Sequence, residues 1–402
     1  MLGILDDVKI LELSNIVGGS FLAKLLADQG AQVIKVEKPR EGDAARHEPP
    51  FLGGVPDPEK SSLFLAFNTN KRGVTLDLEN AAGREIFLKL VKNVDIVIES
   101  FEPGYLDQLG IGYEAIRSVN PKVILTSLTY FGQTGPYAHY HGDEMVMEAM
   151  GGYLYAVTGT YDKPPMGCGL WQMELTGARG AAIASMAALM QQHITGEGQH
   201  IDACIMEATV STPGGLIQQV SFMGSVSRRP GADTNVMDGM HLRTKDGEVT
   251  LTTAGTGGKP METWAEFLKE PKLLDPRFQT RQGRMKFWKE QFDLVQAKLI
   301  EFENLDLMRD AMAKGLVIGL VQSTFQVIDS PHLKERGFWV EIEHPKVGKL
   351  RYAGPAFLID GTNPSAGGKP APLLGQHNVE VYSNELGVSK EELGVLTACG
   401  AI

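Results

Sequence analysis

Cysteine is scarce in this sequence, and its spacing excludes two kinds of site. The 402 residues include three cysteines, Cys168, Cys204 and Cys399, which lie far apart and form no CxxC pair. A zinc knuckle or a disulfide framework needs more closely spaced cysteines. His139 and His141 likewise have no further His or Cys at ligand spacing. The sequence therefore predicts no metal site, and the cysteine usage is typical of a reducing, cytoplasmic environment.

Basic charge and long apolar runs are also lacking. Thirty-eight Lys and Arg stand against 49 Asp and Glu, which gives a net charge of −11. Nucleic acids and anionic membranes bind basic faces, so neither is expected as a principal partner. No stretch approaches the roughly 18 consecutive apolar residues of a membrane-spanning helix. The N-terminal MLGILDD carries acids where a signal peptide has basic residues, so we expect a cytoplasmic protein without a membrane segment.

The sequence does contain a repeated alternation of short apolar strands with amphipathic helices. Strands are predicted at 8–13, 32–37, 73–78, 94–98 and 123–128, and helices at 21–29, 81–91 and 106–119. This alternation predicts an α/β fold with a parallel sheet of Rossmann type and right-handed crossovers. A chain of 402 residues exceeds the usual size of a single core, so we expect two domains.

The loop after the first strand lacks the glycine pattern of a dinucleotide-binding site. Residues 15–20, predicted as a loop of small residues, offer only Gly18-Gly19 in place of GxGxxG, although Glu37 closes the second strand. NAD binding is therefore not expected. Open parallel sheets bind ligands at the carboxyl ends of their strands. The strand-end loops near Ile16, Lys38, Phe101 and Phe131 should therefore converge on one crevice.

The stretch Gly167–Leu189 brings one acidic residue, Glu174, to the start of a helix of small apolar residues. Gly177 and Gly180 each cost about 1 kcal/mol there relative to Ala. We therefore expect another part of the chain to come close to this helix. Glu174 itself has two interpretations, a first-turn acid that interacts with the helix dipole or a nucleophile over a substrate cavity.

The middle of the chain has a different pattern. Residues 206–239 are predicted to form a linker or flap, and 240–325 a smaller α+β domain that starts with a hairpin around Asp246-Gly247. A return linker and a final part of the large domain are expected at 326–402. The large domain would then be formed by 1–205 together with the C-terminal end.

Six further segments stand in a recognisable order: VKILELSNIVGGSFLAKLLADQGAQVIKVEKPREGD (8–43), NTNKRGVTLDL (68–78), VDIVIESFEPGYLDQLG (94–110), NPKVILTSLTYFGQTGP (120–136), TGEGQHIDACIMEA (195–208) and APLLGQHN (371–378). In this order they resemble the class III CoA-transferases, the family of formyl-CoA, carnitine and bile-acid CoA-transferases. The resemblance covers nearly the whole chain and implies a Rossmann-type large domain from both chain ends, a smaller middle domain and two chains threaded into an interlocked dimer. It also implies CoA and acyl-CoA as substrates.

The resemblance places Glu174 where the family has an essential aspartate. In the family's mechanism that aspartate attacks an acyl-CoA thioester, forms a mixed anhydride and then becomes an enzyme-bound CoA thioester, which the acceptor carboxylate resolves. Glutamate moves the carboxylate outward by about 1.5 Å, and a misplacement of about 1 Å can cost on the order of 10²-fold in rate. Two hypotheses follow. The chain transfers CoA from a donor such as succinyl-CoA to a carboxylic acid, with Glu174 as nucleophile, or it is the non-catalytic scaffold subunit of a two-subunit enzyme of the benzylsuccinate CoA-transferase type. The partner would be a second copy in the first case and a related subunit in the second.

The resemblance also implies where CoA and substrate bind. The CoA positions carried over from the family are Ile16, Val17, Gly18, Lys38, Lys71, Arg72, Phe101 and His141. Lys71 and Arg72 have the alternative of a purely structural role. Asp143 and Glu144 match acidic positions that face the nucleophile in the family, with a solvated turn as the alternative. Tyr140 and Trp171 are predicted to lie around the acyl pocket.

Overall fold

The computed structural model describes residues 3–159, 163–212, 214–229, 241–252, 260–365 and 367–402, without the side chains of Arg281 and Met285. The chain divides into two compact units. One comprises Met1–Ala156, Gly167–Val226 and Glu335–Ile402, and the other Val157–Met166 and Ser227–Lys334. The four-part domain division given above stays a prediction.

The first unit contains a six-stranded parallel sheet in the order β3-β2-β1-β4-β5-β6. The predicted α/β fold with a parallel sheet is thereby confirmed. The order reverses between β1 and β4, and open α/β sheets bind ligands at such a switch point. The strands are β1 Lys9–Glu12, β2 Gln32–Glu37, β3 Lys71–Thr75, β4 Ile96–Glu99, β5 Ile124–Thr129 and β6 His200–Cys204.

Helices cover both faces of this sheet because successive strand residues point to opposite sides. Ile96 and Ile98 face the cluster that contains α1 and α8, whereas Val97 faces the cluster of α3, α5 and the C-terminal segment. The α-helices between residues 17 and 223 are α1 Val17–Ala27, α2 Ser62–Phe67, α3 Ala81–Val91, α4 Tyr105–Gln108, α5 Tyr113–Val119, α6 Glu144–Met150, α7 Tyr153–Ala156, α8 Gln172–Thr195, α9 Ile205–Ser211 and α10 Leu216–Met223.

Helix α1 begins at Val17, so the prediction of a loop up to residue 20 was wrong. Gly18 and Gly19 are poor helix formers, but they lie where side chains do not fit. A Cβ at Gly19 would lie 1.8 Å from the Ser14 Oγ. Close packing, which no local propensity reveals, sets the start of this helix.

The segment predicted as a linker or flap at 206–239 contains α10, and its role as a linker stays a prediction. The helix-compatible residues LIQQVSFM form α10. The flanking Gly215 and Gly224 adopt left-handed backbone conformations that begin and end the helix. Residues 213 and 230–239 of the predicted flap lie outside the described residues.

The second unit has its own apolar core around the fully buried Trp264. Its three-stranded antiparallel sheet has the order β7-β8-β9, and the predicted hairpin joins the first two strands. The elements are β7 Leu242–Arg243, β8 Glu248–Thr252, α11 Met261–Leu268, α12 Arg281–Lys286, α13 Trp288–Leu299, α14 Asn304–Ala313, β9 Val317–Leu320, α15 Thr324–Ile328 and α16 Pro331–Glu335.

The C-terminal part of the first unit packs on the large sheet. Tyr382 is fully buried and its hydroxyl donates to the Thr75 carbonyl at 2.8 Å. The elements are the hairpin of β10 Trp339–His344 and β11 Gly348–Ala353, a π-helix at Val379–Glu385 and α17 Lys390–Ala398. None of the described helices is long and apolar enough to cross a membrane.

Candidate active site

Glu174 lies in the first turn of α8, and its side chain is almost completely buried, with 3% of its surface exposed. Trp171 precedes the helix in a left-handed conformation and makes no side-chain cap. The cap comes instead from Glu144, whose carboxylate accepts the backbone N–H of Met173 at 2.8 Å and that of Glu174 at 3.2 Å. A carboxylate at this position also suits the positive end of the helix dipole. Glu144 thereby fixes where α8 begins and how Glu174 is presented.

Both carboxylate oxygens of Glu174 accept a hydrogen bond. The backbone N–H of Gly18 donates to Oε2 at 2.8 Å, and the Tyr130 hydroxyl donates to Oε1 at 2.7 Å. Gly18 is the second residue of α1, where backbone N–H groups have no partner within the helix. The N-terminus of α1 is therefore used as an anion site for this carboxylate.

Two glycines make room for this arrangement. A Cβ at Gly18 would lie 3.0 Å from the Glu174 carbonyl oxygen and 3.2 Å from its Cβ. A Cβ at Gly142 would lie 2.6 Å from Cβ and Cγ of Tyr130. Larger residues would push Glu174 and Tyr130 out of contact with each other.

Burial and hydrogen bonding act in opposite directions on these groups. Burial raises the pKa of Glu174 above its usual value, and the donors Gly18, Tyr130 and Val17 counteract part of that rise. Burial and the adjacent Glu174 charge raise the pKa of Tyr130 far above its usual value. The Tyr130 hydroxyl therefore stays protonated and is the donor in its hydrogen bond to the buried Glu174 side chain.

A cavity of about 770 Å³ opens at the switch point between β1 and β4. Lys38 and Phe101, both predicted to bind CoA, line it. Lys38 is half exposed and its Nζ lies 3.3 Å from Glu41. Asn15 lines the same cavity three residues before Gly18, which holds Glu174. The cavity and the carboxylate thus lie at the two ends of one short segment.

The remaining predicted residues lie around this segment with different exposure. Ile16 precedes α1 as its N-cap, and Val17 packs in the apolar cluster that Trp171 also contacts. His141 is exposed, and its Nδ1 lies 3.4 Å from Glu102, which lines the cavity. Tyr140 is also exposed and packs against Phe131 and Tyr137.

Lys71 and Arg72 both form ion pairs within the fold, which agrees with the structural alternative, and their contact with a CoA phosphate stays a prediction. Lys71 is fully buried, and its Nζ contacts Glu12 at 2.7 Å and the Ser20 carbonyl at 2.8 Å. Arg72 pairs with Glu380 and Glu385. Both cations are used within the fold, where Lys71 ties β3 to β1 and α1.

Asp143 and Glu144 both lie near Glu174, and each carboxylate caps a helix. The Asp143 carboxylate accepts the Val146 N–H at 2.7 Å and caps α6, and Glu144 caps α8. Asp143 is exposed and Glu144 is partly buried, so a solvated position describes Asp143 better than Glu144.

Sequence reasoning missed Tyr130. Tyr130 is the first residue of the YFGQTGP loop after β5. This position at the carboxyl edge of the sheet is the sequence signal that could have identified it. Its pairing with a residue 44 positions later depends on α8 packing against β5. That contact is not visible in local sequence.

Comparison with known proteins places these observations in a family context. The model of the family described as "CoA-transferase family III" matches residues 5–378. The chain is 32% identical to succinyl-CoA–D-citramalate CoA-transferase of Chloroflexus aurantiacus, covering 98% of this chain and 97% of that protein. It is 30% identical to human succinyl-CoA:glutarate CoA-transferase, over 99% of this chain and 90% of the relative. The crystal structure of a CAIB/BAIF family protein from Brucella suis superposes with a TM-score of 0.82 at 28% identity, over 96% of this chain and all of that one.

Proposed function

We propose that this chain, which belongs to CoA-transferase family III and is an enzyme of that class, uses Glu174 as the nucleophile that carries CoA between two carboxylic acids. The observation that carries the proposal is the buried carboxylate held by Gly18 N–H and Tyr130 O–H. A first-turn acid with only a dipole role would not need to be desolvated. A nucleophile gains from a fixed geometry and a dry site.

The proposed reaction exchanges one acyl bond at a time. The Glu174 carboxylate attacks the thioester carbonyl of the donor, the C–S bond breaks and CoA leaves as the thiolate. The thiolate then attacks the Glu174 carbonyl carbon, which releases the donor acid and leaves CoA on the protein as a thioester. The acceptor carboxylate attacks that thioester, which forms a second mixed anhydride with Glu174 and releases CoA as the thiolate. The thiolate then attacks the acceptor carbonyl carbon of this anhydride, which forms the product thioester and releases the Glu174 carboxylate. No net proton is consumed.

The amide group at the start of α1 has a direct use in these steps. When the thiolate attacks the Glu174 carbonyl carbon, negative charge develops on a carboxyl oxygen. The N–H of Gly18, 2.8 Å from Oε2, is placed to stabilise that oxyanion. One such donor is worth about 2.7–4 kcal/mol in known cases. This role explains why a glycine, with no side chain in the way, occupies the second position of α1.

We further propose that the cavity at the switch point binds the nucleotide part of CoA. Lys38 offers a cation for a phosphate and Phe101 an aromatic face for adenine, and both line the cavity. The chain from Asn15 to Gly18 then leads the pantetheine arm towards Glu174. Relatives named for succinyl-CoA support a short dicarboxylic acyl donor.

A partner chain is part of the proposal. Several large apolar side chains on α8 and α10 are strongly exposed, among them Ile194 and Phe222 at 86% each. A second copy, threaded as an interlocked dimer, would cover such side chains. The alternative, a scaffold subunit that pairs with a related active chain, would cover them equally well, so activity of the isolated chain has to distinguish the two.

The experiment is a trapping assay with the purified chain alone. The protein is incubated with succinyl-CoA and hydroxylamine, digested, and the peptide with Glu174 is measured by mass spectrometry. We expect a hydroxamate on Glu174 in the wild type and none in Glu174→Gln. An unmodified wild type that transfers CoA only when mixed with a related subunit would overturn the nucleophile role and support the scaffold.

A further inference from the structure

We propose that Tyr130 is a positioning residue that adapts this active site to glutamate. The inference rests on the proposed role of Glu174 and goes beyond it, because it explains how a longer side chain can serve as nucleophile. The Tyr130 hydroxyl holds Oε1 at 2.7 Å while the α1 N-terminus holds Oε2 at 2.8 Å. The two oxygens therefore have different donors and can have different tasks.

The reach of the side chain decides which residue fits. An aspartate at position 174 would end about one C–C bond, ~1.5 Å, earlier on the same backbone. The contact to the Tyr130 hydroxyl would then lengthen well beyond hydrogen-bond range. A buried hydroxyl without a partner carries a desolvation cost. The geometry thus favours glutamate specifically.

Tyr130 is held rigidly enough to define that geometry. Its backbone carbonyl accepts the Met206 N–H at 3.0 Å, which fixes the end of β5 against α9. Its ring packs directly on Gly142, where a Cβ would lie 2.6 Å away. The hydroxyl therefore has little freedom to follow a shorter carboxylate.

The hydroxyl also has a chemical consequence. It stays protonated because burial and the Glu174 charge raise its pKa. Its hydrogen bond is strongest when Oε1 carries charge, as in the free carboxylate, and weaker when Oε1 is bonded in the anhydride. Tyr130 therefore holds the nucleophile before attack and stabilises the Glu174 carboxylate as it leaves in the final step.

The test compares four proteins in a CoA-transfer assay: wild type, Tyr130→Phe, Glu174→Asp and the double variant. We expect Tyr130→Phe to lower kcat about 10- to 100-fold and to leave KM for the acyl-CoA within about twofold. In the Glu174→Asp background the hydrogen bond is already broken, so the same substitution should change kcat less than about threefold. Equal losses in both backgrounds, or an unchanged kcat in Tyr130→Phe, would overturn the inference.

A pH profile and two controls separate positioning from a merely structural effect. The Tyr130 hydroxyl lowers the pKa of Glu174, so the acid limb of kcat should move to higher pH in Tyr130→Phe, and an unmoved limb contradicts the inference. Tyr352→Phe removes a buried hydroxyl that has no hydrogen-bond partner within the described residues, and it should keep the wild-type kcat and acid limb.

An active Glu174→Gln would refute both the proposed function and this inference, whereas an inactive Glu174→Gln with a normal Tyr130→Phe refutes only the inference. If Tyr130→Phe does not fold, the Glu174→Asp variant provides the test. We expect its kcat to be on the order of 10²-fold below that of the wild type. A wild-type kcat in Glu174→Asp would overturn the inference.

Discussion

Gly18 and Glu174 are separated by 156 positions in sequence and joined by a hydrogen bond of 2.8 Å from backbone N–H to carboxylate. The bond exists because β1 ends at the switch point and α1 starts directly against the first turn of α8. The two helix N-termini meet there, and the carboxylate of one serves the free N–H groups of the other. The position of the acid thus depends on the absence of a side chain at residue 18.

Gly18→Ala should impair catalysis more than stability. The added Cβ would lie 3.0–3.3 Å from Glu174 and Leu128, so the acid has to shift by a few tenths of an ångström. We expect kcat to fall about tenfold or more and the free energy of unfolding to fall by about 1–3 kcal/mol. Steady-state kinetics and chemical denaturation measure both.

Gly180→Ala provides the matched control within α8. The sequence predicted a close approach at both Gly177 and Gly180, and only the first is confirmed. A Cβ at Gly177 would lie 2.9 Å from Ile205, whereas nothing described lies within 4 Å at Gly180. Alanine there should raise the free energy of unfolding by up to about 1 kcal/mol and leave kcat unchanged. A strong loss of activity in this variant would contradict our account of which glycine matters.

Neighbouring cations, Lys71 and Arg72, should respond very differently to substitution. Lys71→Met removes one partner from a fully buried ion pair with Glu12 and should lower the free energy of unfolding by about 3–5 kcal/mol. Arg72→Ala breaks pairs with partly exposed glutamates and should cost only about 0–1 kcal/mol. Urea denaturation of both variants makes the comparison. Similar losses would mean that burial does not set the cost.

Much of the architecture could be predicted because strand and helix periodicity are local properties. QVIKVE, for example, was predicted as a strand at 32–37 and forms β2 over the same residues. The two cations of NTNKRG could not be assigned in this way. Their partners Glu12 and Glu385 lie far away in sequence, and only the folded sheet shows that Lys71 points into the interior.

The same limit applies to the candidate site. Glu174 could be identified from its position before a helix of small residues and from the family resemblance. Its burial and its two donors could not, because Gly18 and Tyr130 approach it only when α1, β5 and α8 pack together. Residues that act through tertiary contacts leave no pattern in a single sequence.

Lys38→Ala should weaken binding of the CoA donor without affecting the fold. The side chain is half exposed at the cavity and forms an ion pair with the exposed Glu41. If it contacts a phosphate, its loss should raise KM for succinyl-CoA about tenfold and leave kcat within about twofold. Raising the ionic strength should reduce the difference between variant and wild type. An unchanged KM would remove Lys38 from the proposed CoA site.

Glu99 should make stability depend on pH. Glu99 is the last residue of β4, and its Oε2 accepts the Phe101 N–H at 2.7 Å. Its pKa is raised to about 7, mainly by burial and also by the charges of Asp107 and Asp202. Hydrogen bonds from Ser127 and Phe101 act in the opposite direction. At a pH between these two pKa values, Glu99 keeps its proton in the folded protein, whereas the unfolded chain, with a carboxyl pKa near 4.3, has released it. Between about pH 4.3 and pH 7 this group therefore lowers the free energy of unfolding as pH rises.

Glu99→Gln isolates this contribution because glutamine keeps an oxygen for the Phe101 N–H and carries no charge. The stability of the variant relative to wild type should increase from pH 5 to pH 8 by up to on the order of 3 kcal/mol. Denaturation at both pH values measures it, with Glu341→Gln as control, since Glu341 is exposed and its pKa is lowered by Lys349. A relative stability of Glu99→Gln that does not change with pH would show that Glu99 is ionised in the folded protein throughout this range. In that case the charge would persist beside Phe101 in the cavity, where it would oppose the binding of an anionic nucleotide.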